Sequence, residues 1–223
     1  MSGNAYELVV CAGVPAEKWK ANLEPEKDLH NIELLIHNLT QTKVDEFVLI
    51  SSVDVYANPQ AVYEDSTTDA DQNSPYGKHR FFLEEFIRNS FPRHLIIRLP
   101  GLIGTGLKKN FIFDMLHKPE ALSLTHTKST FQFYSLDYLW ADIQRARKKR
   151  LNTINFATPP VGVETLALRC FGKEFINETS KPPLIYDMRT RYADLFGNSG
   201  NYIWIEEKEL ESIKSFIENE RTS

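Results

Sequence analysis

Residues 47–80 run FVLISSVDVYANPQAVYEDSTTDADQNSPYGKHR. The opening Phe47-Val48-Leu49-Ile50 is apolar, rich in β-formers and too short for a helix, so it reads as a strand buried on both faces. Ser51 and Ser52 stand at its carboxyl end. A polar loop with Asn58-Pro59 and the acidic run from Glu64 to Asp71 leads to Ser74-Pro75-Tyr76, where Ser74 suits a helix N-cap and Pro75 the first helical position. Tyr76 therefore falls in a first helical turn, with Arg80 on the same face and Lys78 roughly 200° around the helix. A hydroxyl at a strand end, a phenol and a cation at i+4 are the pieces of a proton-transfer set.

The flanks extend the pattern in both directions. Upstream, Glu7-Leu8-Val9-Val10-Cys11-Ala12-Gly13 reads as a strand and its turn, and residues 25–40 as an amphipathic helix with Leu29, Ile32, Leu35, Ile36 and Leu39 on one side. Downstream, Phe81, Phe82, Phe86 and Ile87 continue the helix that begins at Tyr76, and residues 94–99 form another buried strand. Strand, helix, strand, helix, strand at this spacing predicts right-handed crossovers and a parallel sheet.

The strand end Ser51-Ser52-x-x-Val55-Tyr56 and the Tyr76-Gly77-x-x-Arg80 helix start resemble the extended short-chain dehydrogenases/reductases, the nucleotide-sugar epimerase and dehydratase group. The resemblance implies a Rossmann-like fold, an NAD or NADP cofactor and a sugar-nucleotide substrate. It puts Ser52 on the family's catalytic Ser/Thr and Tyr76 on its catalytic tyrosine, with Asn31 near a supporting asparagine; a surface helix residue is the other reading of Asn31. Arg80 stands where the family has a lysine that contacts the cofactor ribose. Its fixed charge favours tyrosinate, but its planar fork is not equivalent to an ammonium. The resemblance further implies cofactor contacts at Ala12, Gly13, Ser51, Tyr76, Arg80 and Pro100. Val53-Asp54 replaces the Asp-Glu pair of the dehydratase branch, which argues against 4,6-dehydration and leaves Asp54 as a substrate contact.

After Leu99, the glycines of Gly101-Leu-Ile-Gly104-Thr-Gly106 and the following Lys108-Lys109 mimic a phosphate-binding loop, but the spacing is G-x-x-G-x-G and Pro100 opens it. In the resembled family this place holds the turn into the substrate lobe. Lys108, Lys109 and Asn110 then face a substrate phosphate, or the two lysines are simply solvated. Residues 121–124 and 130–134 read as a hairpin, 136–149 as a helix capped by Ser135, 163–171 as a helix ending at Gly172, 184–186 as a strand and 206–219 as a charged helix, while 153–157 resembles the family's last parallel strand. Arg189 and Arg191 either bind phosphate or pair with acids. The expected organisation is one Rossmann-like domain, with a core at about 6–100 and 152–158 and a substrate lobe at about 101–150 and 159–223.

Composition narrows the class. In 223 residues, 42% hydrophobic with net charge −4, nothing marks a nucleic-acid binder. Cys11 and Cys170 read as core thiols, fitting a reducing cytoplasm. No apolar run approaches ~18 residues and no signal peptide precedes Tyr6, so no membrane span is expected. His30 and His37 share a helix without a carboxylate motif, so no metal site is expected, and no G-x-S-x-G elbow supports a hydrolase.

Family members place a strand, a glycine-rich turn, a helix and two further strands before the segment matching residue 6, so the chain is expected to be N-terminally truncated relative to them. A trimmed or misassigned start, a natural loss of catalysis and a different ligand are the open explanations; Met1-Ser2-Gly3 resembles the interior of a longer member. Two functions follow: an NAD(P)-dependent enzyme on a nucleotide sugar or related carbohydrate, or a non-catalytic binding or assembly module that has lost the cofactor. The strand Leu-Val-Val-Cys, residues 8–11, is expected at a sheet edge, and the helices at 25–40 and from Tyr76 resemble the pair through which family members dimerise, so a homodimer is expected.

Overall fold

The computed structural model describes residues 5–69 and 71–222, and the expectation about Met1-Ser2-Gly3 lies outside them. Contacts divide the chain into a first unit, made of residues up to Asn58 with Glu64–Leu99 and Ala146–Asn155, and a second, made of Pro59–Tyr63, Pro100–Arg145 and the residues from Phe156 onward.

The first unit is a parallel sheet with helices. Its strands are β1 (Ala5–Cys11), β2 (Lys43–Ser52), β3 (His94–Leu99) and β4 (Thr153–Asn155), hydrogen bonded in the order β1-β2-β3-β4. Register puts Val9 beside Phe47, Ile50 beside Ile97 and Ile97 beside Ile154. The helices are α1 (Lys18–Leu23), α2 (Pro25–Thr40) and α3 (Pro75–Ser90). Proline opens both α2 and α3, where its missing N–H costs no intrahelical bond. The Ser74 hydroxyl accepts from the Gly77 amide at 3.4 Å and caps α3. The apolar stripe of α2, including Ile32 and Leu39, packs with Val9, Phe47, Leu49, Leu83, Ile87 and Ile96, and the Phe47 and Phe91 rings stack 4.4 Å apart.

A charged network is also buried in this unit. The Arg98 guanidinium donates to both Glu84 oxygens, at 3.0 and 2.7 Å, and to the Tyr56 phenol at 2.6 Å. The Tyr56 phenol meets the Asn155 side chain in turn. Both Arg98 and Glu84 are almost fully excluded from solvent, so each carries the desolvation cost that the other offsets.

The second unit holds short strand pairs. Gly101–Ile103 runs parallel to Phe133–Ser135, Thr130–Phe131 antiparallel to Val161–Gly162, and Gln60–Val62 parallel to Asp187–Met188. These replace two expectations. Residues 121–124 belong to a 3₁₀ helix, Pro119–Leu124, opened by Pro119, so the hairpin does not form. The strand expected at 184–186 forms instead at Asp187–Met188, with Ile185 making a single bridge to Thr130. In both cases pairing partners far along the chain set the strand. Ser135 caps a 3₁₀ turn, Leu136–Tyr138, that leads into the helix Leu139–Lys148. The helix Val163–Phe171 ends at Gly172 with φ +65°, a conformation glycine adopts without penalty. Val161, Leu166, Phe111, Phe133, Leu210 and Ile213 form this unit's core.

Candidate active site

The carboxyl end of β2 and the first turn of α3 are held together by Asn73. Its Nδ2 donates to the carbonyls of Asp54 and Val55, both at 2.9 Å, while its Oδ1 accepts from the Ser74 amide at 2.7 Å. Gly77 allows the helix to approach the Asp54 carbonyl more closely than any side chain would permit. This contact sets the Tyr76 phenol near Ser52, whose hydroxyl is close enough to favour the phenol's ionised form.

The phenol is buried, and burial raises its pKa above the ordinary 10. The Arg80 charge opposes this, the Asp54 carboxylate adds to it, and the Ser52 hydroxyl and Lys18 charge oppose it. Burial dominates, so the phenol is protonated at neutral pH and suited to donating a proton.

Arg80 stacks on the Tyr76 ring, 3.9 Å from its centroid. Its guanidinium donates to the Asp28 carboxylate and to the Pro15 carbonyl. His79 Nδ1 lies 2.8 Å from the same Asp28. Arg80 and Asp28 are both buried, so the cation at i+4 is committed to an internal ion pair. Ser51 is likewise engaged in packing: its hydroxyl donates to Glu84 at 2.6 Å. Ala12 and Gly13 follow β1 and are exposed, and a Cβ added at Gly13 would meet nothing within 4 Å. At position 80, where the resembled family has a lysine on the cofactor ribose, the guanidinium is thus taken up by Asp28 and Pro15.

Asn31 is exposed on α2 and lines a cavity of about 100 Å³ with Pro15, Asp28 and neighbouring α1 residues. In the second unit, Pro100 is buried and Lys108 and Lys109 are exposed. Asn110 caps the helix Phe111–His117, accepting from the Phe113 amide at 3.0 Å and donating to the Leu102 carbonyl at 2.8 Å. Arg189 makes a two-pronged pair with Asp187, whose carboxylate also accepts from the Tyr202 phenol at 2.6 Å. No group of three His, Cys, Asp or Glu side chains fit to hold a metal occurs among the described residues.

Sequence reasoning missed α1 and what it brings. Lys18 Nζ lies 2.7 Å from Asp54 Oδ1, and Asn22 Oδ1 accepts from the Tyr76 amide at 3.0 Å. The Asp54 amide in turn donates to the Ser52 hydroxyl at 3.2 Å. Pro15 and Pro25 bracket this six-residue helix, the only local hint of it, since six residues give no readable periodicity.

No family model matches the chain, and no curated protein matches it. Solved structures do. A UDP-glucose 4-epimerase from Thermotoga maritima, solved with UDP-glucose, superposes with a TM-score of 0.70 at 15% identity, covering 97% of this chain and 77% of that one. A dTDP-4-dehydrorhamnose reductase from Clostridium acetobutylicum gives 0.71 at 18% identity over 96% and 81%. RMD from Pseudomonas aeruginosa, complexed with NADPH, gives 0.71 at 17% identity over 96% and 82%. The chain thus has the Rossmann-like fold of the extended short-chain dehydrogenase/reductase epimerases and reductases.

Proposed function

We propose that this chain binds a sugar nucleotide or related carbohydrate and that Ser52 and Tyr76 hold one oxygen of that ligand. The observation that carries the reading is the placement of the Ser52 hydroxyl near the buried Tyr76 phenol at the carboxyl end of β2, the end at which open α/β sheets bind ligands. A hydroxyl and a protonated phenol side by side can donate to and accept from a sugar oxygen. Hydride chemistry is not assigned to this chain, because Arg80 and Ser51 are taken up by internal partners. NAD(P), where a protein of this fold binds it, supplies the hydride; the residues here hold the ligand and a proton at the Tyr76 oxygen.

A second reading, an NAD(P)-dependent epimerase or reductase, is favoured by the protonation of the phenol, the form that a general acid needs. Calorimetric titration of the chain with UDP-glucose, NAD⁺ and NADPH separates the two. Saturable UDP-glucose binding with weak or absent nucleotide-cofactor binding supports the first, and no UDP-glucose binding sinks it. Low-micromolar NAD(P) binding moves the chain to the second, in which Tyr76→Phe lowers turnover by roughly 10²-fold or more.

The same resemblance supports a homodimer through α2 and α3, each of which carries an exposed large apolar side chain, Leu34 and Phe82.

A further inference from the structure

We infer that Lys18, and not Arg80, is the cation that a bound hexose meets at the Ser52–Tyr76 pair; this rests on the carbohydrate reading above. Only 4% of the Arg80 side chain is exposed, and its guanidinium faces Asp28, the Pro15 carbonyl and the Tyr76 ring. A ligand would have to break a buried ion pair to reach it. The Lys18 side chain is 42% exposed, and its ammonium is held 2.7 Å from Asp54 Oδ1, near enough to the Tyr76 phenol for its charge to act on it. That carboxylate is tied to the site by its own backbone, since the Asp54 amide donates to Ser52 Oγ.

α1 is fastened at both ends. Lys18 at its start grips Asp54, and Asn22 in its last turn takes the Tyr76 amide, one of the N-terminal donors of α3 that has no helical partner. The ammonium is thus placed by two anchors on the elements that carry Ser52 and Tyr76, and is not swung freely on a loop. The chemistry suits a sugar hydroxyl, which both donates and accepts. Lys18 offers only donors, the Asp54 carboxylate oxygens accept, and the two are in contact. Both charges also act on the phenol, in opposite senses: Lys18 favours its ionised form and Asp54 its neutral form, beside Arg80 on its own helix.

The test is calorimetric titration of UDP-glucose and of UDP into the full chain and its Lys18→Met, Lys18→Arg and Arg80→Lys variants. Lys18→Met is expected to weaken UDP-glucose binding about tenfold or more, the loss of a charged hydrogen bond, while UDP binding stays within about twofold. Lys18→Arg recovers most of the affinity, whereas Arg80→Lys lowers the melting temperature and leaves affinity within about twofold. Unchanged UDP-glucose binding by Lys18→Met, or a tenfold loss in Arg80→Lys, overturns the assignment and leaves the carbohydrate reading standing. An equal loss for UDP removes the hexose contact. Failure of the unaltered chain to bind UDP-glucose overturns both readings. Should Lys18→Met melt early, ¹³C-dimethylation of Lys18 gives an independent readout: its resonance shifts on adding UDP-glucose if the assignment holds and stays fixed if it does not.

Discussion

At Gly77 a Cβ atom would lie 1.9 Å from the Asp54 carbonyl oxygen and 2.5 Å from the Asn73 amide. A backbone oxygen cannot swing aside, so Gly77→Ala is expected to push α3 away from the end of β2 and cost roughly 1–3 kcal/mol, read as a shift in denaturation midpoint. Ligand affinity should fall with it, because the same shift separates Tyr76 from Ser52. Glu209 poses a different problem at the same scale. Its carboxyl is fully excluded from solvent and accepts from the Phe133 amide at 2.6 Å. Burial raises its pKa well above the ordinary 4.5. A folded pKa above the unfolded one means that the folded state holds the proton more tightly. Its contribution to stability is complete below the unfolded pKa and is lost as pH rises through the folded one. Glu209→Gln keeps an acceptor for Phe133 and has no proton to lose. Its melting temperature relative to the unaltered chain should therefore climb as pH is raised from 4 to 8; a difference that stays flat with pH would show Glu209 to titrate normally.

Among the elements, α1 and α3 divide the positive charge near the site between two jobs. Arg80 on α3 is a strut: it neutralises Asp28 on α2 and supports the Pro15 carbonyl just ahead of α1. The sequence pattern suggested that Arg80→Lys would restore a family-like site, but a lysine has one nitrogen where Arg80 uses two, one on Asp28 and one on the Pro15 carbonyl, so the substitution is expected to cost stability. Arg80→Met leaves Asp28 buried with His79 as its remaining neighbour. A loss of about 3 kcal/mol is expected, at the low end for breaking a buried pair because His79 stays in place. Chemical denaturation measures it, and a loss below about 1 kcal/mol would mean that the pair is not holding α2 to α3.

For the whole molecule, the expected dimer is the property that a purified sample reports first. α2 and α3 contact each other, and Leu34 and Phe82 remain 49% and 46% exposed on them. β1 is hydrogen bonded only to β2 among the described strands, so its other edge also offers backbone donors and acceptors. Light scattering at micromolar concentration is expected to give twice the chain mass, and Phe82→Glu to shift the sample toward one chain mass. A dimer that survives Phe82→Glu would move the interface to the β1 edge. No helix among the described residues is long and apolar enough to cross a membrane.

The sequence alone determined the parts of this fold that rest on local chemistry. The spans of α2 and β3, the start of α3 behind Ser74 and Pro75, and the strand at Phe47 follow from apolar periodicity, a capping hydroxyl and a proline at a first helical position, all within a few residues of one another. The positions of Ser52 at a strand end and of Tyr76 in a first helical turn were legible for the same reason. Tertiary structure alone decided which charges serve them. Lys18 reaches Asp54 across 36 residues and Arg80 reaches Asp28 across 52, and neither distance leaves a periodic mark in the chain. It decided the second unit's strands too, because two- and three-residue strands such as Gly101–Ile103 and Asp187–Met188 carry too little propensity of their own and form where a partner strand supplies the hydrogen bonds.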